Sequence, residues 1–248
     1  MANNQLLALA NEEPFVTAIA GVITVAHLLI KVFPDMETVM FIVPGQTITR
    51  PWQVVTAGYF EDSTINLALG LGALLGVGVL LRPSWGGKEL VRFVVLTNAL
   101  QGCATWVAMI TLYILFRSEH FLFAQLGGLT GMLGSFSVAL KQHVQGRADT
   151  FTLPLSSPSA APSANQLIVA AMQHAPSICL LCSAFLLLTT HAGPPDELLF
   201  AANGILAAWV YLRYYQPRED GAMGDPSTDF SFAALFPLPL RPPLHALG

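Results

Sequence analysis

The chain has 248 residues, of which 54% are hydrophobic and only 10% are charged, whereas soluble domains carry roughly 25% charged residues. This composition, spread over several long apolar runs, excludes an ordinary soluble domain and predicts an all-α polytopic membrane protein in contact with membrane lipid. The formal net charge of −4 comes without a dense basic cluster, so we predict no nucleic-acid partner.

Six apolar stretches are long enough to be membrane-spanning helices, since about 20 residues cross the roughly 30 Å hydrocarbon core. They cover residues 15–33, 65–81, 93–115, 121–140, 168–188 and 198–215. We therefore predict a six-transmembrane-helix bundle over residues 15–216, preceded by the segment 1–14 and followed by a tail, 217–248. Pro176 is expected to kink the fifth span, and the charged stretch 82–89 to form the turn between the second and third.

The positions of Lys and Arg predict the orientation, because basic residues are enriched on the cytosolic side of membrane proteins. The side that holds both termini carries Arg82, Lys88, Arg92, Lys141, Arg147, Arg213, Arg218 and Arg241, and the other side carries Lys31, Arg50 and Arg117. This asymmetry places both termini and the Ser/Pro/Ala-rich loop 141–165 in the cytosol. The connection 34–64 is then expected on the luminal side.

The fourth span has small residues at spacings that let a neighbouring helix approach closely. They are Gly127, Gly128, Gly131 and Gly134. The pair Gly72 and Gly76 on the second span is the predicted packing partner, which makes the fourth span the central helix. Thr130 lies among these glycines, and its hydroxyl is expected to donate to a carbonyl one helical turn earlier.

No metal or cofactor is predicted. His174, Cys179 and Cys182 lie on the fifth span, but a metal needs three or four converging ligands, and no other span has a matching Cys/His pair. His27 in the first span has no carboxylate or second His one turn away, so we predict a packing or hydrogen-bonding role for it rather than a proton relay.

The run Gly128-Leu129-Thr130-Gly131 resembles the Gly-X-Ser-Gly of rhomboid intramembrane proteases, with Thr130 at the nucleophile position. The stretch from Trp52 to Asn66 is similar to the rhomboid loop after the first span. This resemblance puts Asn66 at the oxyanion-helper position, although an Asn near a helix start also fits a capping role. Active rhomboids carry His four residues before that Asn, where this chain has Asp62.

Three further stretches, together with Trp209–Arg213, are similar to the transmembrane protein 115 family, which consists of rhomboid-like Golgi proteins. The matching residues are Arg82, Trp85, Gly86, Glu89, Lys141, Gln142, Trp209, Arg213, Gly224, Asp225, Phe230 and Phe232. The resemblance implies a rhomboid-type fold without protease activity, residence in Golgi membranes, a link to Golgi-to-endoplasmic-reticulum retrograde transport, and self-association. The tail aromatics Phe230, Phe232 and Phe236 either bind a partner or anchor the cytosolic tail to the membrane surface.

A protease needs a base beside its nucleophile, and the sixth span, where rhomboids carry that base, contains no His. His174 and His191 do not match the family position. We therefore predict a catalytically inactive protein that acts as a scaffold or cargo-binding factor for transmembrane proteins or trafficking machinery. The alternative is an active intramembrane protease that uses Thr130. A channel is not predicted, because polar residues within the spans are too sparse to line a path.

Overall fold

A computed structural model describes residues 14–145, 162–190, 196–218 and 221–237. Most of the predicted loop 141–165, the segment 1–13 and the tail beyond residue 237 lie outside these residues. The helices are α1 (Pro14–Val32), α2 (Met36–Met40), α3 (Gln53–Thr56), α4 (Thr64–Phe116), α5 (His120–Phe123), α6 (Thr130–Gln145), α7 (Pro162–Gln173), α8 (Ala175–Thr190) and α9 (Asp196–Val210). A π-helical turn, Tyr211–Tyr215, extends α9, and short 3₁₀ turns occur at Ala57–Tyr59, Thr228–Phe230 and Phe232–Leu235.

The predicted second and third spans form α4, a 53-residue helix with one break at Gly86, where φ is 71° and ψ is 162°. Glycine adopts this backbone conformation without a steric penalty. The predicted turn over residues 82–89 is therefore reduced to a single non-helical residue. Two candidate membrane spans lie along this helix, Thr64–Leu81 and Ser84–Phe116, and the Gly86 break falls near the start of the second. The third span therefore begins earlier than predicted.

The prediction of a continuous fourth span over 121–140 is wrong. The chain forms the short helix α5, runs without helix from Ala124 to Leu129, and starts α6 only at Thr130. Ile42 and Leu126 exchange two backbone hydrogen bonds of 2.8 and 2.9 Å, and the Gly128 N–H donates to the Ala57 carbonyl at 3.0 Å. These contacts with the 34–63 connection hold the segment away from helical geometry, and Gly128 has a φ of 120°.

The fifth predicted span is two helices, α7 and α8, that meet at His174 with a bend of 71°. Three helical segments among the described residues are long and apolar enough to cross a membrane, or four if this bent pair is one span. Of the remaining helices of the predicted bundle, α6 has 16 residues, fewer than the roughly 20 that cross the hydrocarbon core. Helix α9 has 15 residues, to which the π-helical turn adds five, and neither helix is among the candidate spans of the described residues. The structure thus confirms a helical membrane protein, and six spans remain a prediction.

Helix α6 is the most enclosed part of the described bundle, and its close neighbour is α9 rather than the second span. A methyl group added at Gly204 of α9 would overlap the Gly131 carbonyl oxygen, and one added at Gly134 would overlap the Ala201 carbonyl. The Ser135 hydroxyl also donates to the Gly204 carbonyl at 3.0 Å. The two helices therefore touch backbone to backbone.

The predicted packing of Gly72 and Gly76 against the fourth span is wrong. Both residues are exposed, and a methyl group at either would meet nothing within 4 Å. Gly131 is enclosed instead by the Gln101 side chain from the second part of α4. The G-x-x-x-G spacing of Gly72 and Gly76 predicted a close contact with another helix. In the structure, this motif lies on an exposed face of α4.

Candidate functional site

A polar cavity of about 220 Å³ lies at the N-terminal end of α6. Its walls come from α2, the end of the 34–63 connection, the start of α4, the non-helical segment before α6, and the start of α9. The lining residues are Glu37, Phe41, Glu61, Asp62, Asn66, Gln125, Gly127, Thr130 and Glu197. The cavity therefore brings together Thr130, Asn66 and Asp62, the three positions that the rhomboid resemblance singled out.

Thr130 is the first residue of α6 and is 9% exposed. Its hydroxyl oxygen is buried and has no hydrogen-bond partner. The predicted bond to a carbonyl one turn earlier is wrong, because α6 begins at this residue and no helical turn precedes it. A buried hydroxyl without a partner costs free energy, so this oxygen is the energetically unsatisfied point of the cavity.

Glu61 organises the N-terminus of α6, although no sequence pattern favours it over its neighbour Asp62. Its side-chain oxygens accept hydrogen bonds from the backbone N–H groups of Leu129 at 2.9 Å and Ser63 at 3.1 Å. The Glu61 residue is 3% exposed, and this burial raises the pKa of its carboxyl to about 7. A carboxylate here interacts favourably with the positive end of the helix dipole.

His27 also contacts the backbone around Glu61. The His27 ring lies with Nδ1 2.5 Å from the Glu61 carbonyl oxygen, and its Nε2 is 3.5 Å from the Thr64 hydroxyl. These contacts agree with the predicted hydrogen-bonding role of His27. On the other side of the carboxylate, a methyl group added at Gly128 would lie 3.0 Å from Glu61 Oε2, so a side chain there would crowd the carboxylate.

Asn66 connects two of the carboxylates. Its Nδ2 donates to Glu61 Oε1 at 3.5 Å and to Glu197 Oε1 at 3.4 Å. Its backbone N–H donates to the hydroxyl of Ser63, the N-cap of α4, at 3.4 Å. The Asn66 amide thus faces the cavity. Ser63 rather than Asn66 caps α4, so the capping interpretation of Asn66 is wrong.

The histidines considered as bases do not reach Thr130. His174 lies at the α7–α8 junction beside Gln173, whose carbonyl accepts a hydrogen bond of 2.8 Å from Lys141 near the other end of α6. Eleven residues of helix between Thr130 and Lys141 correspond to about 16 Å. His191 lies outside the described residues. Among the residues that the structure describes, no group of three His, Cys, Asp or Glu side chains could hold a metal ion.

The family-motif residues collect at the opposite end of α6, where they hold the tail. Arg213 donates to the carbonyls of Asp225 and Ser227, both at 2.6 Å. Gln142 donates to the Asp225 carboxylate at 3.4 Å. Gly224 has a φ of 71°, and a methyl group there would overlap the Arg213 carbonyl. These contacts turn the chain back onto the end of the helical bundle.

Aromatic residues complete this attachment. The Trp209 indole N–H donates to the Phe230 carbonyl at 3.1 Å, and its ring packs edge-on against Phe232 at a centroid distance of 5.2 Å. Phe230 is 1% exposed. Phe230 is therefore held inside the fold and is not exposed to a partner, and anchoring of the tail aromatics to the membrane surface stays a prediction.

The 82–89 motif contributes to the same end of the bundle. Trp85 packs edge-on against Phe93 at 5.2 Å, and the Glu89 carboxylate accepts a hydrogen bond of 2.6 Å from the Tyr211 hydroxyl. Gly86 supplies the helix break described above. The side chain of Arg82 lies outside the described residues.

A second cavity, of about 350 Å³, is apolar and opens between the first part of α4, α6 and α8. It is lined by Ala73, Gly76, Val77, Leu80, Leu133, Phe136, Ser137, Leu140, Ala175, Ile178 and Cys179. Helices α4 and α6 thus contribute to both cavities. Their first turns line the polar one, and their next turns line the apolar one.

Comparison with known proteins identifies the family. A family model described as eukaryotic integral membrane protein (DUF1751) matches residues 15–248. Rhomboid-like protein 19 of Arabidopsis thaliana is 32% identical over 234 residues, which are 93% of this chain and 70% of that protein. Transmembrane protein 115 of Mus musculus and of Homo sapiens are 31% and 32% identical over 198 residues, 79% of this chain.

The match covers 52% of each of these two mammalian proteins, so the chain spans about half their length. The relatives agree with both resemblances noted in the sequence, to rhomboids and to the transmembrane protein 115 family. The family model covers nearly the whole chain, including the polar cavity and the tail contacts. The chain therefore belongs to the eukaryotic integral membrane protein family DUF1751, with rhomboid-like and transmembrane protein 115 relatives.

Proposed function

We propose that the protein is a rhomboid-like Golgi membrane protein without protease activity, which binds transmembrane cargo or trafficking factors during Golgi-to-endoplasmic-reticulum retrograde transport. Both termini face the cytosol in this proposal, and the polar cavity faces the lumen. The observation that carries the non-proteolytic part is the bond between Glu61 and the Leu129 N–H.

Acyl transfer at Thr130 would need a base within about 3 Å of the hydroxyl. It would also need free N–H donors for the developing oxyanion. The Thr130 hydroxyl has no hydrogen-bond partner. The adjacent N–H, that of Leu129, donates to the Glu61 carboxylate at 2.9 Å. The Glu61 carboxyl group already occupies the donor that an oxyanion would use, which supports a binding role.

Two features support the binding of transmembrane partners. The apolar cavity beside α4, α6 and α8 offers contact with a lipid-embedded helix, because its lining is almost entirely hydrocarbon. Gly72 and Gly76 are exposed with open space above them, which is the surface that helix–helix association in membranes prefers. The same surface would serve for self-association.

The first experiment compares Thr130→Ala with Gly131→Leu in cells that lack the protein, and it measures Golgi location, retrograde transport of a reporter, and cleavage of a transmembrane reporter. We expect no cleavage by the wild type or by Thr130→Ala, and a correct location for Thr130→Ala. Gly131→Leu should lose both location and transport, because Gln101 and Gly204 leave no room for a side chain. Gly21→Leu is the control, since nothing lies within 4 Å of a methyl group there.

Cleavage by the wild type that disappears in a folded, correctly located Thr130→Ala protein would establish the protease alternative. A second experiment tests the orientation by inserting a glycosylation acceptor at Ile48, which is 76% exposed, or near residue 157. Modification at Ile48 alone is the expected result. Modification near residue 157 alone would reverse the topology, and fractionation away from Golgi membranes would contradict the proposed location.

A further inference from the structure

Acidic side chains dominate the polar cavity. Four carboxyl groups line it: Glu37 from α2, Glu61 and Asp62 from the connection, and Glu197 from α9. The described residues that line the cavity include no Lys, Arg or His. Like charges at close quarters raise each other's electrostatic free energy, so a cation entering this cavity would relieve that repulsion.

The unpartnered hydroxyl of Thr130 is independent evidence for a ligand. Thr130 lines the same cavity, is 9% exposed, and has a buried oxygen with no hydrogen-bond partner. Carboxylates are acceptors only, and a hydroxyl oxygen also accepts. The cavity therefore offers acceptors, and the matching ligand is one that donates several hydrogen bonds and carries positive charge.

An organic cation fits these dimensions better than a metal ion. Among the described residues, no three acidic, His or Cys side chains are arranged to hold a metal. The cavity volume of about 220 Å³ is also several times the roughly 30 Å³ that one water occupies in the liquid. The end of a Lys or Arg side chain brings three or five N–H donors and no acceptor, and it is larger than a bare metal ion.

The relation between the two cavities points to the source of this cation. On α6, Thr130 lines the polar cavity and Leu133 the apolar one, about one helical turn apart. On α4, Asn66 lines the polar cavity and Ala73 lines the apolar one, about two helical turns further along. A helix lying in the apolar cavity would bring its end to the polar cavity, and Lys or Arg at the end of a transmembrane helix extends towards the interface.

We propose that the polar cavity binds the cationic side chain of a Lys or Arg located at the luminal end of a partner's transmembrane segment. The apolar body of that segment lies along the cavity between α4, α6 and α8. This inference rests on the proposed function and specifies the chemistry of its cargo. The carboxylates select for charge, and the Thr130 oxygen adds one further acceptor.

The test uses the full chain in phosphatidylcholine nanodiscs and a fluorescent Leu-rich single-span peptide that carries Lys, Arg or Gln at one end. We expect the Lys and Arg peptides to bind roughly tenfold more tightly than the Gln peptide. The double variant Glu37→Gln/Asp62→Asn should remove this preference while retaining the bond between Glu61 and Leu129. The control Asp35→Asn/Glu119→Gln removes two exposed charges outside the cavity and should preserve the preference.

Equal binding of the Lys, Arg and Gln peptides would overturn the inference, as would an equal loss of preference in the control variant. Two further arms identify other occupants. If phosphatidylethanolamine in the nanodisc abolishes the preference, a lipid amine fills the cavity, and if millimolar Ca²⁺ abolishes it, a metal does. Either outcome refutes a peptide side chain as the ligand.

This binding assay is independent of cellular location and transport. A protein that supports retrograde transport but does not distinguish the peptides would contradict the cation site and leave the proposed function in place. A protein that distinguishes them but does not support transport would contradict the proposed function and retain the site.

Discussion

The two ends of α6 differ in the groups that surround them. At the C-terminal end, Gln142, Arg213 and the Gln145 amide N–H group donate to the tail, and the Gln145 side-chain oxygen is the one atom there that is buried without a partner among the described residues. At the N-terminal end, the Thr130 hydroxyl has no partner, and the cavity around it collects carboxylates. Polar groups that satisfy one another stabilise a fold, whereas unsatisfied ones raise its free energy unless a ligand compensates. The tail end therefore has the properties of a structural joint, and the cavity end those of a binding site.

The largest effect that tests this contrast is expected at Phe230, the buried aromatic of the tail. Phe230→Ala should destabilise the attachment of the tail by about 4 kcal/mol, because a fully buried ring is replaced by a cavity. Limited proteolysis should then cut within residues 221–237, while the helical bundle stays resistant. Phe116→Ala, which alters a residue that is 68% exposed, is the control. A tail that remains protected in Phe230→Ala would show that the polar contacts alone hold it.

At the cavity end, the largest expected effect is a dependence of stability on pH through Glu61. Its pKa is raised from 4.5 to about 7, so between these values the folded protein binds a proton that the unfolded chain has lost. Stability is then highest below about pH 4.5 and falls as the pH rises through 7. A shift of this size corresponds to about 3 kcal/mol, and thermal unfolding in detergent at several pH values would measure it.

Glu61→Gln should remove most of this pH dependence. The other titratable groups near Glu61 are Asp62, Glu37, Glu197 and His27, so the variant isolates the contribution of Glu61 from theirs. Glu119→Gln, which changes an exposed carboxylate outside the cavity, should leave the dependence unaltered. A Glu61→Gln protein with the wild-type pH profile would mean that the Glu61 carboxyl is not the titrating group.

The smallest effect compares two hydroxyls on the same helix. Ser135 donates to the Gly204 carbonyl, so Ser135→Ala should lower the free energy of unfolding by about 1 kcal/mol. Thr130→Val removes a hydroxyl with no partner, and it should leave the stability of the purified protein unchanged or raise it by up to about 1 kcal/mol. Denaturation in the same detergent would compare them. A similar loss in both variants would place a hydrogen-bond partner at Thr130.

The elements that could be predicted from the sequence are those determined by neighbouring residues in the chain. The first span, predicted at 15–33, is α1 at Pro14–Val32, because an unbroken apolar run of this length has few alternatives. The break of the fourth span was not predictable from local sequence. It depends on hydrogen bonds between Leu126 and Ile42, and between Gly128 and Ala57, which are distant in the chain.

In the candidate site, too, contacts between residues distant in the chain could not be predicted from the sequence. The rhomboid resemblance identified Thr130 and Asn66, and the structure brings both to one cavity. Glu61 was missed because its sequence context hardly differs from that of Asp62. Its burial and its bond to the Leu129 N–H, 68 residues away, distinguish it from Asp62, and both depend on the fold. The spacing of Gly131 and Gly134 likewise predicted a close helix contact. It did not identify α9 as the partner, because Gly204 is not part of a G-x-x-x-G motif.

The contact between α6 and α9 also affects how the protein is made. The Ser135 hydroxyl and its acceptor, the Gly204 carbonyl, are 69 residues apart in the chain, and a ribosome adds about 5–20 residues per second. Helix α6 therefore emerges several seconds before the helix that covers it. During this interval its hydroxyls and its exposed backbone at Gly131 and Gly134 need a temporary neighbour, such as the insertion machinery or a membrane chaperone. Nascent chains that are arrested before Asp196 should crosslink to such a factor through α6, and release should follow once α9 is complete.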